Sequence, residues 1–167
     1  MEILIFIEKA IWFGCAAVGF AILFNVPTRT LIPVFLMAAL GGITKLFFMH
    51  WNIGVVFSTF IGCAVIGILS IFAAHYKHSP PFVFSIPAVI PMVPGTFAYY
   101  TMKGFIKLAY NTNPDKFMSL LDNTITNGSK TLFVLMAITI GVYAPMLLTR
   151  KESAKQIKIS LFNKFNK

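Results

Sequence analysis

The chain has 167 residues, 57% of them hydrophobic and only 11% charged, and its mean hydropathy is +0.81. A water-soluble domain carries roughly 25% charged residues, so a soluble globular protein is excluded and an all-α integral membrane protein is expected. The net charge of +9 comes from 14 Lys and Arg against 5 Asp and Glu; these cations gather at the ends of apolar runs and in the tail "RKESAKQIKISLFNKFNK", a pattern of membrane topology and anionic headgroups rather than of nucleic-acid binding.

About 20 apolar residues cross the hydrocarbon core, and five runs qualify as spans. The first, 3–24, is interrupted by Glu8 and Lys9 and reads as a retained helix, because no A-x-A-like cleavage site follows it. The second, 31–49, carries Lys45 about one turn from its end, where a lysine can snorkel. The third, 53–74, is uncharged and contains Ser58 and Thr59; small residues at 58, 62 and 67 let a neighbouring helix approach closely. The connectors "NVPTR", "HWN" and "HYKHSPP" are short, so the first four spans form an antiparallel set. Cys15 and Cys63 both lie in apolar runs and read as packing thiols without a disulfide.

The fourth run, 82–102, contains "FSIPAVIPMVPGTFAYY". Pro87, Pro91 and Pro94 each remove a backbone donor, at a cost of about 3 kcal/mol or more in a helix interior. In lipid, non-helical backbone survives only where protein buries it or a wet cavity borders it. Two half-helices are therefore expected, with a break at about Met92–Gly95, where Pro94-Gly95 is turn chemistry that tolerates a positive φ. The second half-helix begins with the amides of Gly95, Thr96 and Phe97, which lack intrahelical acceptors and carry the positive end of the dipole. Secondary transporters bind solutes at such breaks. The candidate binding residues are Pro91, Pro94, Gly95, Thr96 and Phe97, with Lys45, Ser58 and Thr59 from the neighbouring spans. A proline-kinked helix that only sets packing is the alternative.

Beyond the fourth run lies the one long connector, 103–130. Pro114 opens an amphipathic helix over 114–126, with Phe117, Leu120, Leu121 and Ile125 on one face; it either lies along the membrane surface or extends the fifth span, and Asn127-Gly128 is its simplest stop. The fifth span is 132–149. Residues 1–150 thus form a single transmembrane domain, and 151–167 form a basic tail that the Lys/Arg bias places in the cytoplasm. That orientation leaves Lys103, Lys107, Lys116 and Lys130 outside, against the same rule. "FNVP" (24–27) and "FSIP" (84–87) look alike, but the similarity extends no further.

No Ser-His-Asp set, phosphate-binding glycine loop or H-E-x-x-H is present, so no enzyme chemistry, cofactor or metal is expected. His75 and His78 have metal-like spacing without a third ligand and read as loop histidines.

"VGFAILFNVPTRTL" (18–31), "STFIGC" (58–63) and "FSIPAVIPMVPGTFAYYTM" (84–102) together resemble the threonine/serine exporter family. The similarity is to its small-subunit, YjjB-like branch, which corresponds to the C-terminal membrane half of longer ThrE-type exporters. The resemblance covers nearly the whole chain. It implies a multi-pass protein of the bacterial inner membrane that exports small amino acids or small carboxylates such as succinate, driven by the proton-motive force. It also implies a larger partner subunit carrying the N-terminal half. The family's motif residues fall here on Phe24, Asn25, Val26, Pro27, Pro91, Pro94 and Gly95, with Arg29 just after the first motif. An assembly subunit without its own substrate site, and a self-sufficient homo-oligomeric transporter, are the other readings. Apart from Glu8 no acid lies in any apolar run, so the acid that a bound ammonium or a coupled proton needs is expected on the partner, unless the substrate is an anion.

Overall fold

Three of the connectors end their helices in the same way. Helix α1 (Glu2–Leu23) stops because Asn25 takes a left-handed conformation, φ 54°. The Asn25 amide then donates to Ile22 O at 3.0 Å and the Val26 amide to Ala21 O at 3.0 Å. This pair of bonds is a Schellman cap, which satisfies carbonyls that the helix end would otherwise leave unpaired. Helix α2 (Leu31–His50) ends likewise at Asn52, φ 58°, with Asn52 N to Met49 O at 3.1 Å and Ile53 N to Phe48 O at 3.2 Å. Helix α3 (Val55–Lys77) ends at left-handed His78, φ 48°. The motif residue Asn25 therefore has a backbone role. Left-handed geometry costs most L-residues about 1–2 kcal/mol, and asparagine and glycine tolerate it best. Asn25→Ala is expected to lower stability by about 1 kcal/mol and Asn25→Gly to leave it unchanged, as read by thermal unfolding in detergent.

The computed structural model describes residues 2–110 and 114–149. The predicted tail, 151–167, lies outside the described residues. After α3 the chain enters α4 (Phe82–Val89), a 3-10 turn (Ile90–Met92) and α5 (Gly95–Ala109), and the two halves are bent by 56°. The last element is α6 (Pro114–Thr149). Among the described residues four helices are long and apolar enough to cross a membrane, and five spans result if the bent pair counts as one. The protein is thus an all-helical membrane protein with the fourth span broken.

Helices α1, α2, α3 and α6 pack in sequence, with α3 and α6 the most extensive pair, while α4 lies across α1, α2 and α3. The shared core contains Val34, Met37, Ala38, Cys63, Ile66, Phe84, Ala88, Met92, Val134 and Val142. Large apolar side chains such as Ile32, Phe72 and Leu148 point outward, as the lipid-facing surface of a membrane bundle requires. The small residues of α3 do what their spacing predicts: Gly62 lies against the Gly41 carbonyl of α2, and Gly67 against the Val142 carbonyl of α6.

One expectation is overturned. Asn127-Gly128 is not a helix stop; of the two placements for 114–126, the structure has the extension of the fifth span, and α6 runs unbroken for 36 residues. The Asn127 side chain donates to Asn123 O at 2.8 Å, the Thr131 hydroxyl donates to Asn127 O at 2.8 Å, and Gly128 faces Thr101 of α5. Tertiary packing and side-chain bonds along the helix override the local turn signal.

Length then sets the position of this helix. At about 1.5 Å per residue α6 is about 54 Å long, and even a 40° tilt leaves about 41 Å against a core of about 30 Å. Its apolar half, from Leu132 onward, fits the core. The polar half, with Asn123, Asn127 and Lys130, projects beyond it. Helix α5 runs antiparallel along that projecting half: Phe97 lies near Lys130, Thr101 faces Gly128 and Gly104 faces Thr124. The two form a helical hairpin at one end of the bundle. At the other end the Phe82 and Tyr143 rings meet at 5.6 Å, and Arg29 donates to the Ser79 hydroxyl at 3.4 Å.

Candidate functional site

The fourth span breaks because its prolines act in turn. Pro87 lies inside α4, Pro91 lies in the 3-10 turn, and Pro94 (φ −80°, ψ 60°) sits at the centre of a three-residue turn. Those angles are those of an inverse γ-turn, and the Gly95 amide accordingly donates to Val93 O at 2.9 Å. The Ile90 carbonyl, freed by Pro94, accepts from Val93 N at 3.0 Å. Phe82–Met92 is about 16 Å of helix, about half of the length that crosses the hydrocarbon core.

Two details differ from the sequence-based expectation. Glycine 95 does not have a positive φ, and a Cβ there would meet nothing within 4 Å. The turn therefore needs Pro94, not a glycine after it. The Gly95 amide also has an acceptor, which leaves the Thr96 and Phe97 amides at the start of α5 without a backbone partner among the described residues. Gly95 and Thr96 are exposed and Phe97 is half-buried, whereas Pro94 and Met92 are buried.

The cation predicted on α2 does reach this place. The Lys45 ammonium donates to the Met92 carbonyl at 3.3 Å, closing the end of the first half-helix, where the dipole is negative. Lys45 therefore points inward to the break and does not snorkel to the membrane surface. Met92 also touches Cys63, sulfur to sulfur at 3.6 Å, and both cysteines are free.

The remaining predicted residues are placed elsewhere. Ser58 and Thr59 are buried, and their hydroxyls donate to α3's own neighbourhood: Ser58 to Ile53 O and Gly54 O, Thr59 to Val55 O. Arg29 precedes α2 at the bundle's other end, a helix length of roughly 20 Å from Lys45, so it is not brought to the break. The motif residues Phe24 and Val26 instead border a wholly apolar groove of about 390 Å³ with Phe82, Val83, Ile86 and Pro87. The two look-alike segments, "FNVP" and "FSIP", thus meet in space. His75 bonds the Ile71 carbonyl through its ring and His78 caps α3; among the described residues no group of three metal-binding side chains occurs.

Two features escape sequence reasoning. Lys130 lies 5.6 Å from the centre of the Phe97 ring, which brings a second cation to the start of α5. Nothing in its local sequence signals this, because it depends on α6 continuing past Gly128. Ser85 of α4 is fully buried, with its hydroxyl unpartnered among the described residues. A buried hydroxyl left so costs on the order of 1–3 kcal/mol.

The break thus presents a carbonyl end held by Lys45 and an amide end flanked by Lys130. Cations and helix-terminal amides occur together at one break in an apolar span, and these are groups that bind a carboxylate.

The profile of the family described as "Threonine/Serine exporter, ThrE" matches residues 9–148. Over 132 residues, 79% of the chain, it is 37% identical to an uncharacterized protein of Haemophilus influenzae. That stretch covers 43% of the relative, so the chain spans less than half of its length. No solved structure matches the chain.

Proposed function

Since the chain belongs to the threonine/serine exporter family, we propose that it is one membrane subunit of a two-component secondary exporter, with serine, threonine or a small carboxylate as substrate. The observation that carries this reading is the fourth span's break. There Lys45 holds the Met92 carbonyl at 3.3 Å, and the Thr96 and Phe97 amides have no backbone partner. Broken backbone in a membrane is costly unless protein buries it or it lines a wet cavity, and a carboxylate would find cations and dipole at this point.

A larger partner is the other part of this reading. The relative is more than twice as long as the matched stretch, so a larger subunit corresponding to its remainder is the natural second half of the path. The acid that an ammonium and a coupled proton call for would sit on that subunit. Arg29 and Lys77 flank the end of the bundle where Arg29 meets Ser79, which favours a cytoplasmic position for that end in a bacterial inner membrane.

Reconstitution tests the reading. Liposomes containing this chain and the larger subunit together should show counterflow of labelled serine or threonine, and succinate should show whether anions share the path. The chain alone should show none, and robust saturable efflux from it alone would contradict the two-component reading.

A further inference from the structure

The hairpin of α5 and α6 holds a groove of about 260 Å³, bordered by Tyr100, Lys103 and Lys107 of α5 and by Asn123, Thr124 and Asn127 of α6. It lies in the projecting half of α6, away from the break. Its floor is built by close approach: Gly104 has no side chain where Thr124, 2% exposed, packs against α5, and the Thr124 hydroxyl donates to Leu120 O at 2.6 Å.

The two walls differ in chemistry. Lys103 and Lys107 are four residues apart on one helix face, so both ammonium groups can reach one ligand. Neither has a carboxylate partner among the described residues; Lys103 rests 5.9 Å from the Tyr99 ring centre. The facing wall carries Asn123 and Asn127, also four apart. The Asn123 side-chain nitrogen donates to Ser119 O and that of Asn127 to Asn123 O, each at 2.8 Å. Only an amide NH₂ can donate to a carbonyl, so both side-chain oxygens remain as acceptors. One wall therefore offers donors bearing positive charge and the other offers neutral acceptors.

We infer that this groove is a second binding site, distinct from the break, for a small zwitterion carrying an anionic oxygen group and a primary ammonium, with a free α-amino acid as the ligand. The carboxylate lies on Lys103 and Lys107, and the ammonium lies on the Asn123 and Asn127 oxygens. No acid is needed for the ammonium, because two amide oxygens solvate it. The groove has room for an amino acid the size of serine. A phosphatidylethanolamine headgroup has the same pair of charges, so the test separates the two. The inference goes beyond export, since binding here requires no transport.

Equilibrium binding of radiolabelled serine to the full chain in phosphatidylcholine nanodiscs measures it. Serine should bind at least tenfold more tightly than glycerate, which lacks the ammonium, or ethanolamine, which lacks the carboxylate. Lys103→Gln with Lys107→Gln should weaken serine about tenfold, to the level of ethanolamine. Asn123→Leu with Asn127→Leu should weaken it to the level of glycerate. Both double variants should weaken serine by the same factor in a Lys45→Met background, which distinguishes the groove from the break. Serine binding unchanged in both double variants overturns the inference. So does serine binding that disappears when phosphatidylethanolamine is added, because the site then belongs to a lipid headgroup.

Discussion

Gly67→Val is expected to abolish folded protein. A Cβ on Gly67 would stand 2.7 Å from the Val142 carbonyl oxygen and 3.2 Å from that of Gly141. Both are backbone atoms of α6, which cannot swing aside as a side chain can. The clash falls in the most extensive helix pair of the bundle. The contact is mutual, since a Cβ on Gly141 would lie 2.8 Å from the Phe60 carbonyl oxygen and 2.9 Å from Cys63 Cβ. Overpacking typically costs 1–3 kcal/mol where neighbours can yield, and here α3 and α6 must separate. Membrane helices gain little from hydrophobic driving force between them, so lost close packing is not recovered elsewhere. Size-exclusion chromatography in mild detergent should show no monodisperse peak for Gly67→Val or Gly141→Val. Gly19→Val, at a position where a Cβ meets nothing within 4 Å, should elute as the parent does. A folded, monodisperse Gly67→Val protein would show that the α3–α6 contact is not the one described.

Lys45→Met carries the second large effect, on transport rather than on folding. Methionine keeps most of the side-chain volume and removes the charge and the bond to the Met92 carbonyl. If the cation serves the substrate's carboxylate, counterflow by the reconstituted pair should fall by at least tenfold, since hydrogen bonds to charged groups contribute roughly 1.5–3 kcal/mol. A purely structural role in capping the half-helix would also weaken the protein, so Lys45→Gln separates the two. Glutamine keeps a donor for the Met92 carbonyl without the charge. The charge-based account expects Lys45→Gln to unfold near the parent temperature and to transport as poorly as Lys45→Met. Full transport by Lys45→Gln would reduce Lys45 to a cap. Glu8, exposed on α1, should tolerate Gln with little change.

The sequence made the spans legible because apolar runs of bilayer length have few alternatives, and it made the break legible because closely spaced prolines ending in Pro94-Gly95 disfavour a continuous helix. Lys45 was legible as an unusual charge in an apolar run, although its direction was not; only the fold shows that it turns inward to Met92. Asn127-Gly128 misled for a physical reason. A local turn signal holds only when the surroundings are neutral, and here α5 packs on Gly128 while Asn123, Asn127 and Thr131 bond along the helix. With that helix continuous, Lys130 arrives beside Phe97 and the groove between Lys103, Lys107, Asn123 and Asn127 forms. Neither follows from spacing along the chain. Asn25 was singled out through family resemblance, and its left-handed φ supplies the physical cause: a helix end inside a membrane protein needs its carbonyls satisfied, and the Schellman cap does this.

The central claim is that the broken fourth span borders the path of a carboxylate substrate, and Thr96 tests it most directly. Thr96 is exposed at the start of α5, its amide lacks a backbone acceptor, and it is one residue beyond Gly95. The measurement is the rate at which a membrane-impermeant maleimide labels Thr96→Cys in a Cys15→Ser background, with the larger subunit present. Cys63 is buried and should stay unlabelled. The account predicts labelling from water that serine or threonine slows severalfold and that an uncharged solute of similar size does not slow. Labelling that is absent, or that proceeds at the same rate with and without every candidate substrate, would contradict it.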